Sequence, residues 1–130
     1  MTTDVIDLPE PLPQIIDAME DKKALDVVVL DLRRSGAFTD YFVVGSGRST
    51  RQVQAIADAV GERLRAVDAR PTHVEGYKHA EWVLMDCFDV IVHVFTRDTR
   101  ELYDLERLWG SATRIEIPAR SALDGPAGGG

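Results

Sequence analysis

EWVLMDCFDVIVHVF, residues 81–95, is the stretch that decides the fold. Two apolar segments, 81–86 and 89–95, are rich in β-branched and aromatic residues, and Asp86 and Asp89 flank Cys87 and Phe88 between them. The pattern predicts two strands joined by a two-residue turn. With Cys87 and Phe88 as the turn, Asp86 opposes Asp89, Leu84 opposes Ile91 and Trp82 opposes His93. Side chains alternate across a strand, so one face carries Val83, Met85, Val90, Val92 and Val94 and is wholly aliphatic. That face is the expected core. The other carries Trp82, Leu84, Asp86, Asp89, Ile91, His93 and Phe95. Opposed aspartates do not suit a core, whereas aromatic residues in a partly polar patch are the usual anchors of protein interfaces. Phe88 at a turn tip points the same way, because turns favour Gly, Asn or Asp. An equally weighted alternative has a terminal helix covering this face, with Trp82 as ordinary core.

Outward from the hairpin, DVVVLDL at 26–32 and DYFVVGS at 40–46 have the nearly continuous apolar content of central strands, and a short strand is expected around 72–76. Leu12, Ile15, Ile16 and Met19 fall at helical spacing, with Lys22 and Lys23 suiting the negative end of that helix. Ser49 and Gln52 have capping-box spacing ahead of the stripe Val53, Ile56, Ala57, Val60, Leu64 and Val67. Asp98 and Glu101 repeat that logic before Leu102, Leu105 and Trp109, and Gly110 supplies a stop. The order α-β-β-α-β-β-β-α predicts an α/β fold: a mixed sheet of about five strands with helices packed mainly on one face. Residues 12–110 form its single domain. Residues 1–11 read as an acidic flexible arm, and 111–130 as a Gly/Pro-rich tail without fixed structure.

The 130 residues suit one domain, and the 45% hydrophobic and 28% charged composition is that of a globular protein. No run of eighteen apolar residues exists, the first residues lack a signal-peptide pattern, and a single cysteine fits a reducing cytoplasm. The net charge of −7 argues against a general nucleic-acid binder. Residues 1–21 hold six acids and no base, leaving 16 acids and 15 bases elsewhere, so the folded body is nearly neutral.

Chemistry-bearing patterns are weak. GSGRST at 45–50 is a glycine-rich turn entering a helix and can cradle a phosphate, but it matches neither standard phosphate-binding pattern; a tight capped connection is favoured. His73, Glu75, His79 and His93 match no standard metal-ligand spacing. Asp31, Asp40, Asp86 and Asp89 fit turn and cap duty better than metal binding, and Cys87 lacks an evident base.

ALDVVVLDL (24–32), TDYFVVGSGRSTRQVQAIAD (39–58), VEG (74–76) and EWVLMDCFDVIVHVFTRDTRELYDLERLW (81–109) together resemble the ribosomal silencing factor (Iojap) family, over roughly residues 12–110. One departure is Phe88, which stands where the family pattern D-x-G-D-V has glycine. The resemblance implies a non-enzymatic cytoplasmic factor with no cofactor and a fold of nucleotidyltransferase-like topology. It implies binding to the large ribosomal subunit through ribosomal protein L fourteen, on the face that meets the small subunit. Subunit joining is then blocked, and translation falls when nutrients are short. The expected partner-binding residues are Trp82, Leu84, Cys87, Phe88 and His93, and the same patch fits a homodimer. The alternative class is a nucleotidyltransferase-like enzyme holding a nucleotide phosphate at GSGRST; the absence of an Asp-x-Asp pair after that turn argues against it.

Overall fold

A computed structural model of the chain describes residues 8–118. The first apolar stripe forms helix α1 (Leu12–Asp21), which buries Leu12, Ile15, Ile16 and Met19. Strands β1 (Leu25–Asp31) and β2 (Tyr41–Gly47) follow, then helix α2 (Thr50–Ala66). Ser49 caps α2 as its spacing predicts, accepting from Gln52 N at 3.1 Å. The Gln52 side chain accepts from Arg48 N (2.5 Å) and donates to the carbonyls of Lys22 (3.0 Å) and Lys23 (3.1 Å), tying the start of α2 to the end of α1. Arg63 bridges Asp17 and Asp21, clamping the same two helices further along. The stripe Val53, Ile56, Ala57, Val60 and Leu64 is buried. Val67, expected to extend it, is the C-cap and lies exposed, because the helix ends one residue earlier.

Strands β3 (His73–Glu75), β4 (Trp82–Asp86) and β5 (Val90–Thr96) complete the predicted set, and β6 (Thr113–Glu116) is a sixth. The mixed sheet runs β3-β4-β5-β2-β1-β6, with β2 and β5 parallel and the other pairs antiparallel. β6 falls in the stretch expected to be tail. It pairs with β1, Val29 opposite Ile115, and Ile117 joins the core. Four residues, three of them polar, carry almost no strand signal, and only the free edge of β1 makes them one. Leu8 packs against the core; the expectations for residues 1–7 and 119–130 lie outside the described residues.

The helices α1 and α2 cover one sheet face, over Val27, Val29, Val43, Val83, Val92 and Val94. Gly45 in β2 lets them sit close, since a Cβ there would run into the Met19 methyl group. The other face is covered only in its middle. Its chain returns as α3 (Arg97–Tyr103) and α4 (Leu105–Leu108), two short helices where the sequence pattern predicts one. Asp104 breaks them in the left-handed conformation (φ 48°, ψ 54°), its N–H bonding Arg100 O. The expected shared face is therefore split: Leu105 is buried with Trp109 packed beside it, while Leu102 is 76% exposed. The cap expected from Asp98 and Glu101 is also displaced; Thr96 occupies the N-cap and its hydroxyl donates to Thr99 Oγ1 at 2.9 Å.

The hairpin register differs from the one expected. Trp82 opposes Phe95, Leu84 opposes His93 and Asp86 opposes Ile91. The turn is Phe88–Asp89, closed by Cys87 N donating to Val90 O at 2.8 Å, and Asp86 and Asp89 are not opposed. The Asp86 carboxylate accepts from Phe88 N (3.1 Å), and Phe88 takes φ 78°, the positive value that a II′ turn needs at its first central residue. Moving the turn by one residue shifts the pairing by two. Both faces consequently keep the membership read from alternation.

Candidate functional site

The candidate site is the part of the second face that α3 and α4 leave open, on β4 beside β5. Trp82 comes from β4, where its neighbours Val83 and Met85 point to the helices and are buried. The indole is half-buried. It stacks on Phe95 (centroids 5.0 Å, interplanar angle 28°) and meets Tyr103 from α3 at 4.7 Å. Leu84, also half-buried, is next in the row. Glu75 of the edge strand pairs with it, and Gly76 allows the close approach of that strand, since any Cβ would strike the Trp82 carbonyl. The β3 edge is polar: His73 and Glu75 bond each other at 2.6 Å.

His93 sits beneath this row and is 3% exposed. The Trp82 Nε1–H donates to His93 Nδ1 at 3.1 Å, across the diagonal between the two strands. Phe42 packs edge-on against the imidazole at 4.5 Å, and Phe42 also meets Trp109 at 5.9 Å. Burial among these rings pushes the imidazole pKa down to about 4, so the ring is neutral at physiological pH. With Nδ1 accepting, the ring proton is on Nε2, which is buried without a partner.

Of the five residues expected to contact a partner, Trp82, Leu84 and His93 come together, His93 as the floor of the site. Phe88 stands at the hairpin tip, 81% exposed. Cys87 belongs to the opposite face, in the helix-side core, with burial pushing its thiol up to about 12. Its expected place in the site follows from proximity to a turn that in fact lies one residue further on. Tyr103 carries no such sequence signal beyond its position eight residues after Phe95, on a chain returning over the same face.

The GSGR segment is committed elsewhere. Ser46 is buried and its hydroxyl accepts from Arg100 Nη1 at 2.9 Å. Arg100 also donates to Leu25 O (3.4 Å) and twice to Glu106 (3.3 and 2.9 Å), which Arg114 approaches at 3.4 Å. Burial raises the Glu106 pKa, but the hydrogen bonds and charge of Arg100, with Arg114, outweigh it and hold the carboxyl below its usual value. An open cleft of about 610 Å³ lies over this network, and its lining has five carboxylates against three guanidiniums. That balance does not suit a phosphate.

The geometry defines an α/β protein whose second sheet face leaves aromatic and aliphatic side chains open to solvent. The family described as "Ribosomal silencing factor during starvation" matches residues 6–127, and the chain belongs to it. Ribosomal silencing factor RsfS of Zymomonas mobilis is 35% identical over 116 residues, covering 88% of this chain and 87% of that protein. The Bacillus subtilis protein of the same name is 42% identical over 100 residues, covering 77% and 85%. A crystal structure of a Chromobacterium violaceum protein superposes with TM-score 0.75 at 32% identity, covering 91% of this chain and 97% of that one.

Proposed function

We propose that this protein is a non-enzymatic cytoplasmic repressor of translation. It binds the large ribosomal subunit through ribosomal protein L fourteen and blocks joining of the small subunit when nutrients are limiting. The observation that carries this reading is the ridge of Trp82, Leu84 and Tyr103, apolar and half-open on a sheet face that is covered only in its middle. Large, rigid rings that are partly desolvated before binding lose little entropy when a partner covers them, which is why Trp and Tyr dominate interface energetics. Phe88 adds an exposed ring at the tip of the same β4–β5 hairpin. The described residues 8–118 carry 19 acids against 14 bases, a net charge of −5, which suits a protein partner better than bare ribosomal RNA. A steric block needs affinity and bulk at an intersubunit contact and no reacting group. A homodimer through the same ridge would compete with ribosome binding.

The test is co-sedimentation with purified large subunits, followed by addition of small subunits. Wild-type protein is expected to travel with the large subunit and to reduce the joined ribosome fraction in proportion to its occupancy. Binding without any effect on joining refutes the steric block. Failure to bind refutes the partner.

A further inference from the structure

We propose that His93 is a positioning residue for the partner-binding tryptophan: its imidazole fixes the orientation in which the Trp82 indole meets the partner. The proposal rests on the reading of Trp82 as an interface anchor.

β5 is a central strand, and every neighbour of His93 from Val90 to Phe95 is apolar and buried. His93 is nearly inaccessible to a partner, so it is not itself a contact. A buried imidazole has two polar atoms to satisfy, and here only Nδ1 finds a protein partner; Nε2 has none. An aliphatic side chain of similar volume would fill the space among Phe42, Trp82 and Phe95 and remove the orphaned Nε2–H, and its one cost would be the acceptor of the Trp82 Nε1–H on a half-buried ring. For stability the orphaned Nε2–H offsets the hydrogen bond that the imidazole makes, so histidine has no clear advantage at 93.

The imidazole supplies an acceptor. The Trp82 indole otherwise touches its surroundings through stacked and tilted ring faces, Phe95 at 5.0 Å and Tyr103 at 4.7 Å. Face contacts resist lifting of the ring but constrain its in-plane rotation weakly. The hydrogen bond from Nε1 to Nδ1 is the one directional contact of the indole among the described residues, and it determines which ring edge faces outward. The edge-on Phe42 ring in turn holds the imidazole plane. Neutrality is required, since a protonated imidazole would present a donor to a donor.

The test uses full-length His93→Leu and His93→Asn, compared with wild type by thermal melting, by affinity for purified large ribosomal subunits corrected for the folded fraction, and by the indole ¹⁵N–¹H resonances. The chain has two tryptophans, so Trp82→Phe identifies the Trp82 signal by its loss. His93→Leu is expected to melt close to the wild-type temperature, to bind about tenfold more weakly, the size of one well-made hydrogen bond, and to lose the downfield shift of the Trp82 indole proton. His93→Asn can place its Oδ1 where Nδ1 accepts. It is expected to recover affinity and resonance despite lower stability. In a Trp82→Phe background, His93→Leu should cost no further affinity. A His93→Leu protein that is strongly destabilised or fails to fold, or that binds as wild type when folded, overturns the proposal and makes His93 a structural residue. If wild-type protein does not bind large subunits, the proposed function fails. The positioning role is then decided by the resonance, and an unmoved Trp82 indole signal in His93→Leu overturns it.

Discussion

Replacing Arg100 with methionine keeps the length of the side chain and removes its guanidinium. Arg100 and Glu106 are both mostly buried, with side-chain exposures of 12% and 13%. The substitution leaves the Glu106 carboxylate with Arg114 alone and takes a donor from Ser46 Oγ and Leu25 O. Removing one member of a buried ion pair costs roughly 3–5 kcal/mol, because the surviving charge stays desolvated. Arg114 remains as a half-exposed counter-charge, so the lower end, about 3 kcal/mol, is expected here. For a domain of this size that is a fall in melting temperature of roughly 12 °C, at about 4 °C per kcal/mol. The sign with pH follows from the carboxylate. In the wild type its folded pKa is depressed, so its contribution is present above the unfolded pKa and is lost as pH falls through the folded one. Without Arg100, burial dominates and the folded pKa rises above the unfolded value. The gap between variant and wild type should therefore narrow as the solution is acidified towards pH 4. Thermal melts at pH 7 and pH 4 read both effects. The double variant Arg100→Met with Glu106→Leu should recover most of the loss, since a buried pair replaced by apolar groups of similar volume is often near neutral. A loss below about 1 kcal/mol, or a double variant no better than the single, would refute this account of how α3 is held, and with it the placement of Tyr103 against Trp82.

Phe88→Gly should raise stability by about 1 kcal/mol, because φ 78° strains a phenylalanine and suits glycine; chemical denaturation checks this, and the same variant should bind large subunits more weakly. Cys87 should resist alkylation by iodoacetamide at pH 8 in the native protein and react after unfolding, because burial keeps the thiol protonated. The lowered His93 pKa means that the unfolded chain binds a proton more readily than the folded one. Stability should therefore be lost as pH falls from about 6.5 to about 4, and His93→Leu should flatten that part of the curve.

Alternation along residues 81–95 was enough to assign both faces of the hairpin, because each strand has period two and one face is wholly aliphatic. It was not enough to fix the turn. The choice between Cys87–Phe88 and Phe88–Asp89 depends on the Asp86 carboxylate reaching Phe88 N, a local hydrogen bond that leaves no trace in hydrophobic pattern. The break at Asp104 was hidden for a related reason. It accompanies the long-range demands on Arg100 from Ser46 and Leu25, 54 and 75 residues away, against which helical periodicity is a weak prior. β6 was hidden because its partner edge, not its composition, makes it a strand. Trp82 and Leu84 were legible as members of the open face because they are large apolar groups on the mixed side of the hairpin. His93 was legible as part of that face, but its depth was not: burial depends on Phe42 and Phe95 closing over it, which only the sheet order reveals.

The central claim is that the open ridge is a contact surface and not displaced core, and Trp82→Ala tests it most directly. The indole is half-buried, so its removal should leave the fold largely intact while weakening co-sedimentation with large ribosomal subunits by roughly 2 kcal/mol or more, as loss of an anchor does, and restoring subunit joining. Val83→Ala, on the helix-side face, is the control: it should lower the melting temperature and spare affinity per folded molecule. A Trp82→Ala protein that is destabilised by roughly 3–5 kcal/mol, the cost of emptying a core site, yet binds large subunits normally when folded would contradict the assignment of this face.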